Sequence, residues 1–214
     1  MTRGTALLAL VVVALVAGYA LGSGGDRSDP APVAPGAPAA TIEGSSSMDE
    51  ASFWQLTSET REEAGGDTGP QSELLEERLS ELPGKDIVEY QRIRQSLDEQ
   101  AYTWDLWGAA YVIEDGCSDD CFRDFRSYLI SLGEEAYETA LRDPDGLAPV
   151  VEDAETGDWE NADSVAGDAY ESAVGEEISV DDSDLSGEPR GEPWDDEAQD
   201  ELVQRYPQLA ARFR

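Results

Sequence analysis

Residues 86–104 read DIVEYQRIRQSLDEQAYTW and carry the strongest helical pattern in the chain. Apolar side chains recur every three or four residues along this stretch, at Ile87, Tyr90, Ile93, Leu97, Ala101 and Trp104. Because this spacing matches the turn of an α-helix, the stretch predicts a helix from about Asp86 with one side in a hydrophobic core.

The segments on both sides of this stretch also show helical spacing. The predicted helices cover approximately residues 47–65, 70–82, 104–113, 118–132, 134–141, 162–174 and 195–206. Ser47 and Glu50 fit a capping box at the start of the first helix. Pro70 suits the opening of the second helix. Ser118 suits a helix N-cap, and Gly133 a helix end.

No segment shows sustained alternation of apolar and polar residues, which is the pattern of a half-exposed strand. Residues 48–214 are numerous enough to bury one core. We therefore predict a single compact all-α domain over residues 48–214, with long acidic loops. Pro207 should end its last helix, after which Leu209 and Phe213 dock back on the core.

The composition excludes several classes of function. The 214 residues include 14 Lys and Arg against 48 Asp and Glu, which gives a formal net charge of −34. Such an acidic chain cannot make the many cationic phosphate contacts that nucleic-acid binding needs. The absence of His removes the commonest general base and metal ligand, and two Cys cannot form a four-thiolate zinc site. We predict no nucleic-acid partner, no cofactor and no metal.

Residues 1–22 have the pattern of a targeting segment. Arg3 precedes an uncharged apolar run, ALLALVVVALVAGYAL, at residues 6–21. This order is typical of a signal peptide, and the run is close to the lower limit of about 17 residues for a transmembrane helix. Residues 23–47 are rich in Pro, Gly and Ser and predict an extended linker. We predict an exported protein, either anchored by residues 1–22 with its domain outside the membrane or secreted after their cleavage.

Several motifs in the domain are similar to those of a known bacterial family. They are WDLWGAAY at 104–111, GCSDD at 116–120, Phe122 with DFR at 124–126, DPD at 143–145, and the shorter FW at 53–54, GEPW at 191–194 and RYPQL at 205–209. By these motifs the chain resembles the bacterial domain of unknown function 4240 family from about residue 48 to residue 213. The resemblance implies no activity and supports only the fold class.

The chain departs from this family at two points. Family members usually look cytoplasmic, whereas residues 1–22 indicate export, and the family commonly has Gly where this chain has Cys121. Disulfides persist in exported proteins, and Cys121 lies four residues after Cys117. We predict a Cys117–Cys121 disulfide, with Cys117 just outside a helix and Cys121 in its first turn. The alternative is two free, buried thiols.

Trp104, Trp107 and Tyr111 share one side of the predicted helix 104–113. Together with Arg123 and Arg126 they form a candidate partner-binding surface, because Trp, Tyr and Arg dominate protein interfaces. The alternative is that the aromatic residues belong to the core and that the arginines pair with nearby carboxylates. The acidity of the chain favours a partner with a basic surface. Our first hypothesis is a non-enzymatic, extracytoplasmic protein-interaction module.

A carboxylate-based hydrolase with a bound cation is the second hypothesis. Oxygen ligands are dense in one short stretch, at Glu114, Asp115, Ser118, Asp119 and Asp120. Their spacing does not fit an EF-hand loop, and helix capping beside a solvated acidic edge explains them more simply. The sequence also has no nucleophile elbow and no phosphate-binding loop. It therefore favours a non-enzymatic role without excluding the hydrolase.

Overall fold

A computed structural model describes residues 47–151, 164–178, 187–195 and 199–214 of the chain. These residues form helices, one 3-10 turn and an isolated β-bridge, and they contain no strand. The helices are α1 (Glu50–Glu63), α2 (Thr68–Ser80), α3 (Gly84–Ala101), α4 (Trp104–Ile113), α5 (Asp119–Ser131), α6 (Glu134–Arg142), α7 (Val165–Val174), α8 (Gln199–Arg205) and α9 (Pro207–Phe213). The 3-10 turn is Pro144–Leu147. The predicted all-α fold class is confirmed.

The predicted targeting segment, residues 1–22, lies outside the described residues, as does the predicted linker up to residue 46. Within the ranges that the structure describes, none of the helices is both long and apolar enough to cross a membrane.

Helix α3 packs against α1, α5 and α7. Ile87, Tyr90 and Leu97 of its apolar stripe are buried, as predicted. Ile93 is only half-buried, and the buried position in that turn belongs to Arg94. The Arg94 Nη2 donates a hydrogen bond to the Ser127 Oγ at 2.9 Å, which offsets the cost of placing a guanidinium inside the protein.

The other helices complete one core. Helix α7 packs against α2 as well as α3, and α5 packs against α6. Helix α4 contacts α5 on one side, while α8 and α9 cover another part of it. The largest side chains with almost no exposure are Phe53, Phe122, Phe125, Leu75, Leu79, Ile87, Leu106, Ile113, Leu129, Ile130, Leu147 and Leu202.

The predicted capping box at Ser47 and Glu50 is wrong. The N-cap of α1 is Asp49, whose side chain accepts a hydrogen bond from the Ser52 N at 2.8 Å. Ser47 instead donates from its N and its Oγ to the two carboxylate oxygens of Asp86, each at 2.8 Å. Asp86 is buried at the start of α3, and a buried carboxylate needs donors, so this long-range pairing takes Ser47 away from the helix end.

Two prolines take positions different from those predicted. Helix α2 begins at Thr68 after the N-cap Asp67, so Pro70 is its third residue rather than its opening. Pro207 follows the end of α8, as predicted, but it also opens α9, where its fixed φ and missing N–H suit the first helical turn. Leu209 of α9 is buried, so the predicted docking of this segment on the core is confirmed.

Candidate functional site

Helix α4 turns an aromatic side towards the surface. Thr103 caps the helix, because its Oγ1 accepts a hydrogen bond from the Leu106 N at 3.2 Å. The opposite side of α4 is buried and consists of Leu106, Gly108, Ala109, Ala110, Val112 and Ile113. Trp104, Trp107 and Tyr111 are half-buried, so each combines packing contacts with an exposed portion.

Trp107 is the middle ring of a stack of three. Its ring lies nearly parallel to that of Trp104, with centroids 5.3 Å apart and an angle of 8°. On its other side the Phe122 ring lies 5.0 Å away at 9°. Such aromatic pairs add about 0.5–1.5 kcal/mol beyond their burial. Because Trp107 belongs to α4 and Phe122 to α5, the stack packs these two helices against each other.

Trp194 completes this group from a distant part of the chain. It meets the Trp104 ring edge-on, at 6.0 Å and 88°, and the Tyr111 ring at 5.1 Å and 64°. Its Nε1 donates a hydrogen bond to the Trp104 O at 3.0 Å. We call Trp104, Trp107, Tyr111 and Trp194 the aromatic surface. In the sequence, Trp194 is marked by the GEPW motif, which points to the family resemblance and not to the site.

The loop at residues 114–118, between α4 and α5, carries the predicted disulfide. Cys117 and Cys121 are bonded, with Cα atoms 5.3 Å apart. Ser118 is the N-cap of α5 and accepts a hydrogen bond from the Cys121 N at 3.3 Å. Cys117 therefore lies just outside the helix and Cys121 in its first turn, as predicted. The Trp107 Nε1 donates to the Cys117 O at 3.0 Å, so the disulfide loop touches the aromatic surface directly.

Arg126 lies beneath the stack rather than on the surface. Its side chain is 3% exposed, and its Nη2 is 3.2 Å from the Asp98 Oδ2. The guanidinium carbon lies 4.6 Å from the Tyr102 ring centroid and 5.0 Å from that of Phe122. A partner cannot reach Arg126 in this arrangement, so of the two arginines predicted for the site it belongs to the core.

Arg123 is the accessible arginine of the predicted set. Its side chain is 54% exposed, and it pairs with the Asp120 Oδ1 at 3.4 Å and the Asp124 Oδ1 at 3.7 Å. Exposed ion pairs of this kind contribute little to stability and rearrange readily. Arg123 is therefore available for contact with a partner at the edge of α5.

Four of the five residues predicted as cation ligands have other roles in the structure. Asp115 pairs with the Arg214 Nη1 at 2.7 Å, and Ser118 caps α5. Asp119 and Asp120 occupy the first turn of α5, where the helix dipole favours negative charge. Within the part of the chain that the structure describes, no group of three or more His, Cys, Asp or Glu could hold a metal ion.

The C-terminal helices hold the buried side of α4 in place. Arg205 forms an ion pair with Asp105, and the Tyr206 Oη donates to the Asp105 O at 2.8 Å. Burial raises the pKa of the Tyr206 phenol well above its usual range, so this donor keeps its proton. Gly108 lies under the Tyr206 ring, and a Cβ there would stand 2.9 Å from the Tyr206 Oη.

A second anchor fixes α9 to the 3-10 turn. The buried Asp145 carboxylate accepts hydrogen bonds from the backbone N atoms of Gln208 and Leu209, each at 2.9 Å. The DPD and RYPQL motifs thus meet in space, and their contact packs the C-terminal segment against the 3-10 turn.

Two surface depressions flank α1. One, of about 260 Å³, includes Glu59 and Asp86, and Asp86 is already bonded to Ser47. The other, of about 390 Å³, includes Glu50 and Glu134. Both are lined by side chains of α1 and its neighbours and contain no cysteine. They offer the hydrolase hypothesis carboxylates and serine hydroxyls.

The fold and the site define a helical, strongly acidic domain with a preformed aromatic surface. Residues 48–172 match the model of the family described as "Protein of unknown function (DUF4240)", and the chain belongs to this family. The GEPW and RYPQL motifs lie beyond the matched residues. No curated protein and no solved structure matches the chain.

Proposed function

We propose that the domain is a non-enzymatic, extracytoplasmic protein-interaction module that binds a partner with a basic surface. The observation that carries the proposal is the aromatic surface itself: three indoles and a phenol, packed against one another and each half-buried. Clusters of Trp and Tyr are enriched among the residues that dominate binding energy in protein interfaces.

The packing of these rings supports binding rather than a purely structural role. Their orientations are fixed by the stack on Phe122 and by the two indole hydrogen bonds, from Trp107 to Cys117 and from Trp194 to Trp104. A partner that docks on them therefore pays little additional side-chain entropy. Preorganised aromatic anchors of this kind are typical of tight interfaces.

Charge around the aromatic surface indicates the chemistry of the partner. Asp115, Glu192 and Asp195 are exposed and adjoin the aromatic residues along the chain or in the next loop. The whole chain carries a net charge of −34. Acidic groups at the rim of an interface steer a cationic partner and repel anionic ones, including nucleic acid. A surface rich in Arg and Lys fits this rim.

The proposed location follows from the sequence of residues 1–47. The basic and then apolar segment would export the chain and either anchor it or be removed, and the linker would hold the domain away from the membrane. The Cys117–Cys121 disulfide supports a compartment that is oxidising. Cell fractionation with mass spectrometry of the mature N-terminus tests this. A protein found in the cytoplasm with residues 1–22 intact would contradict it.

Site-specific photo-crosslinking tests the proposed binding surface. A benzophenone amino acid placed at Trp104 or Trp194 of the full chain, in the cells that express it, should capture the same partner from both positions. Leu141 and Val174 are exposed apolar residues on α6 and α7 and provide control positions. Capture should be absent at the controls and should weaken as salt concentration rises. Equal capture at all four positions, or none at the aromatic ones, would argue against this surface.

A further inference from the structure

We propose that the Cys117–Cys121 disulfide is a redox-sensitive lock on the aromatic surface. In the oxidised chain the disulfide holds the 114–118 loop so that Trp107 stays in its stack. Reduction to two thiols releases the loop and Trp107 with it. The consequence for partner binding rests on the proposed function above, whereas the coupling between the disulfide and Trp107 stands without it.

The 114–118 loop has a backbone that needs support from outside. Asp115 has a φ of 54° and Gly116 a φ of 126°, so two consecutive residues lie on the left-handed side of the backbone map. Only glycine adopts such angles without cost, although Asp tolerates them better than most residues. The Gly116 N donates to the Tyr111 O at 3.0 Å, which folds the loop back over the end of α4. A loop of this shape is held by its attachments rather than by its own preference.

Besides the backbone hydrogen bond to Tyr111 and the Ser118 cap, the loop is held by one covalent bond, one ion pair and one side-chain hydrogen bond. The disulfide ties Cys117 to the first turn of α5. The ion pair between Asp115 and Arg214 has an Asp115 side chain that is 79% exposed, so water and salt weaken it. The third contact is the hydrogen bond from the Trp107 Nε1 to the Cys117 O. The disulfide is the attachment that ties the side chain of Cys117, the residue that carries this carbonyl, to α5.

Both ends of the disulfide act on Trp107. Cys117 supplies the acceptor for the indole N–H. Cys121 is followed directly by Phe122, whose ring stacks on Trp107 at 5.0 Å. The S–S bond thus links the two residues that hold Trp107. Cys117 accepts the hydrogen bond of the indole N–H, and Cys121 precedes Phe122, which stacks on the indole ring. Opening the bond removes this covalent tie, so the Cys117 carbonyl can move away from the indole while Phe122 stays buried in α5.

The redox step needs a dithiol as reductant. A thiolate of the dithiol attacks the Sγ of Cys121, which is half-buried where Cys117 is buried. The S–S bond breaks and Cys117 leaves as a thiolate, which takes up a proton. The second thiolate of the dithiol then displaces Cys121, which is protonated in turn. The chain gains two electrons and two protons, and the dithiol becomes a cyclic disulfide.

Exchange of the tryptophan indole protons with solvent tests the lock. The full chain is labelled with ¹⁵N in its five Trp residues, and single Trp→Phe variants assign the Trp107 and Trp54 signals. Dithiothreitol should increase the exchange rate of the Trp107 indole at least tenfold. The rate for Trp54, which is buried in the core, should change less than twofold. The double variant Cys117→Ala, Cys121→Ala should show the fast Trp107 exchange with and without dithiothreitol.

Two results would overturn the proposal. One is an unchanged Trp107 rate in a sample whose two thiols are shown by alkylation to be fully reduced. The other is a parallel increase for Trp54, which would make the disulfide a support of the whole fold instead of a local lock. Photo-crosslinking from Trp104 in oxidised and reduced protein separates this inference from the proposed function. If crosslinking fails in both states while Trp107 still responds to dithiothreitol, the lock stands and the binding function does not.

Discussion

Gly108 shows how a single missing side chain sets the packing of this domain. A Cβ at this position would lie 2.9 Å from the Tyr206 Oη and 3.1 Å from the Leu202 Cδ2. Tyr206 cannot retreat easily, because its hydroxyl is bonded to the Asp105 O and its ring is buried. The close approach of α8 and α9 to α4 therefore depends on glycine here.

We expect Gly108→Ala to lower the free energy of unfolding by about 1–2 kcal/mol, because overpacking outweighs the better helix propensity of alanine. Gly167→Ala is the matched control, since Gly167 also lies in a helix and a Cβ there would meet only the Ile178 Cγ2 at 3.8 Å. Urea unfolding compares the two. A Gly108→Ala protein as stable as the Gly167→Ala protein would show that α8 and α9 can shift.

The buried Tyr90 makes the stability of the fold depend on pH in alkaline solution. Burial raises the pKa of Tyr90 to about 12, and the nearby Arg94 opposes this only in part. The folded chain thus retains a proton that the unfolded chain releases near pH 10. The stability that Tyr90 contributes through this difference is fully present below pH 10. It is lost as the pH rises towards 12, by up to about 1.4 kcal/mol per pH unit.

Tyr90→Phe should therefore make the loss of stability above pH 10 less steep. The measurement is the free energy of unfolding in urea at several pH values from 7 to 11.5, for the original chain and the variant. Between pH 7 and 9 the two slopes should agree, which serves as the internal control. Identical slopes above pH 10 would mean that the Tyr90 phenol ionises equally readily in the folded and unfolded chains.

At the level of helices and loops, the disulfide joins residues only four apart in the chain. Closing so short a loop removes little entropy from the unfolded state, about 2 kcal/mol in the chain-entropy account. Cys117→Ala with Cys121→Ala should thus lower the free energy of unfolding by no more than about 2 kcal/mol. Urea unfolding of oxidised protein and of the double variant gives the comparison. A variant that fails to fold would contradict a purely local role.

The helices themselves could be predicted because apolar spacing within 10 to 18 residues records which side of a helix is buried. Helix α4 was predicted with its observed bounds, and α3 to within two residues of its start. The same signal places Ile93 on the packed side, where it is partly buried against the core. It does not show that the neighbouring Arg94, which bonds to Ser127, is the more deeply buried residue. Ser47 was misassigned because its partner, Asp86, lies 39 residues away.

The candidate site was harder to predict because it depends on long-range contacts. Trp104, Trp107 and Tyr111 share a helix side, which the sequence shows directly. Trp194 joins them from 90 residues away, and no local pattern indicates that contact. The sequence gives only the position of Arg126 on α5, so Arg126 looks like a surface residue. Its burial follows from Asp98 of α3 and from the rings of Tyr102, just after α3, and Phe122 of α5.

For the molecule as a whole, the net charge of −34 is the dominant property. Like charges repel more strongly in the folded chain than in the expanded unfolded chain, and added salt screens that repulsion. The melting temperature of the protein should therefore rise as NaCl increases from low to moderate concentration. Thermal unfolding followed by circular dichroism at a series of NaCl concentrations checks this. A melting temperature that stays flat or falls over that range would contradict it.

The cover that α8 and α9 place over α4 has a consequence for biosynthesis. Leu202, Tyr206 and Leu209 are buried, and α4 contacts both C-terminal helices. The α4 side of the core therefore cannot close until the ribosome has passed residue 209, so this side stays open to chaperones until then. If residues 1–22 export the chain as proposed, that delay keeps this part of it unfolded for passage through a secretion channel until α8 and α9 have been made.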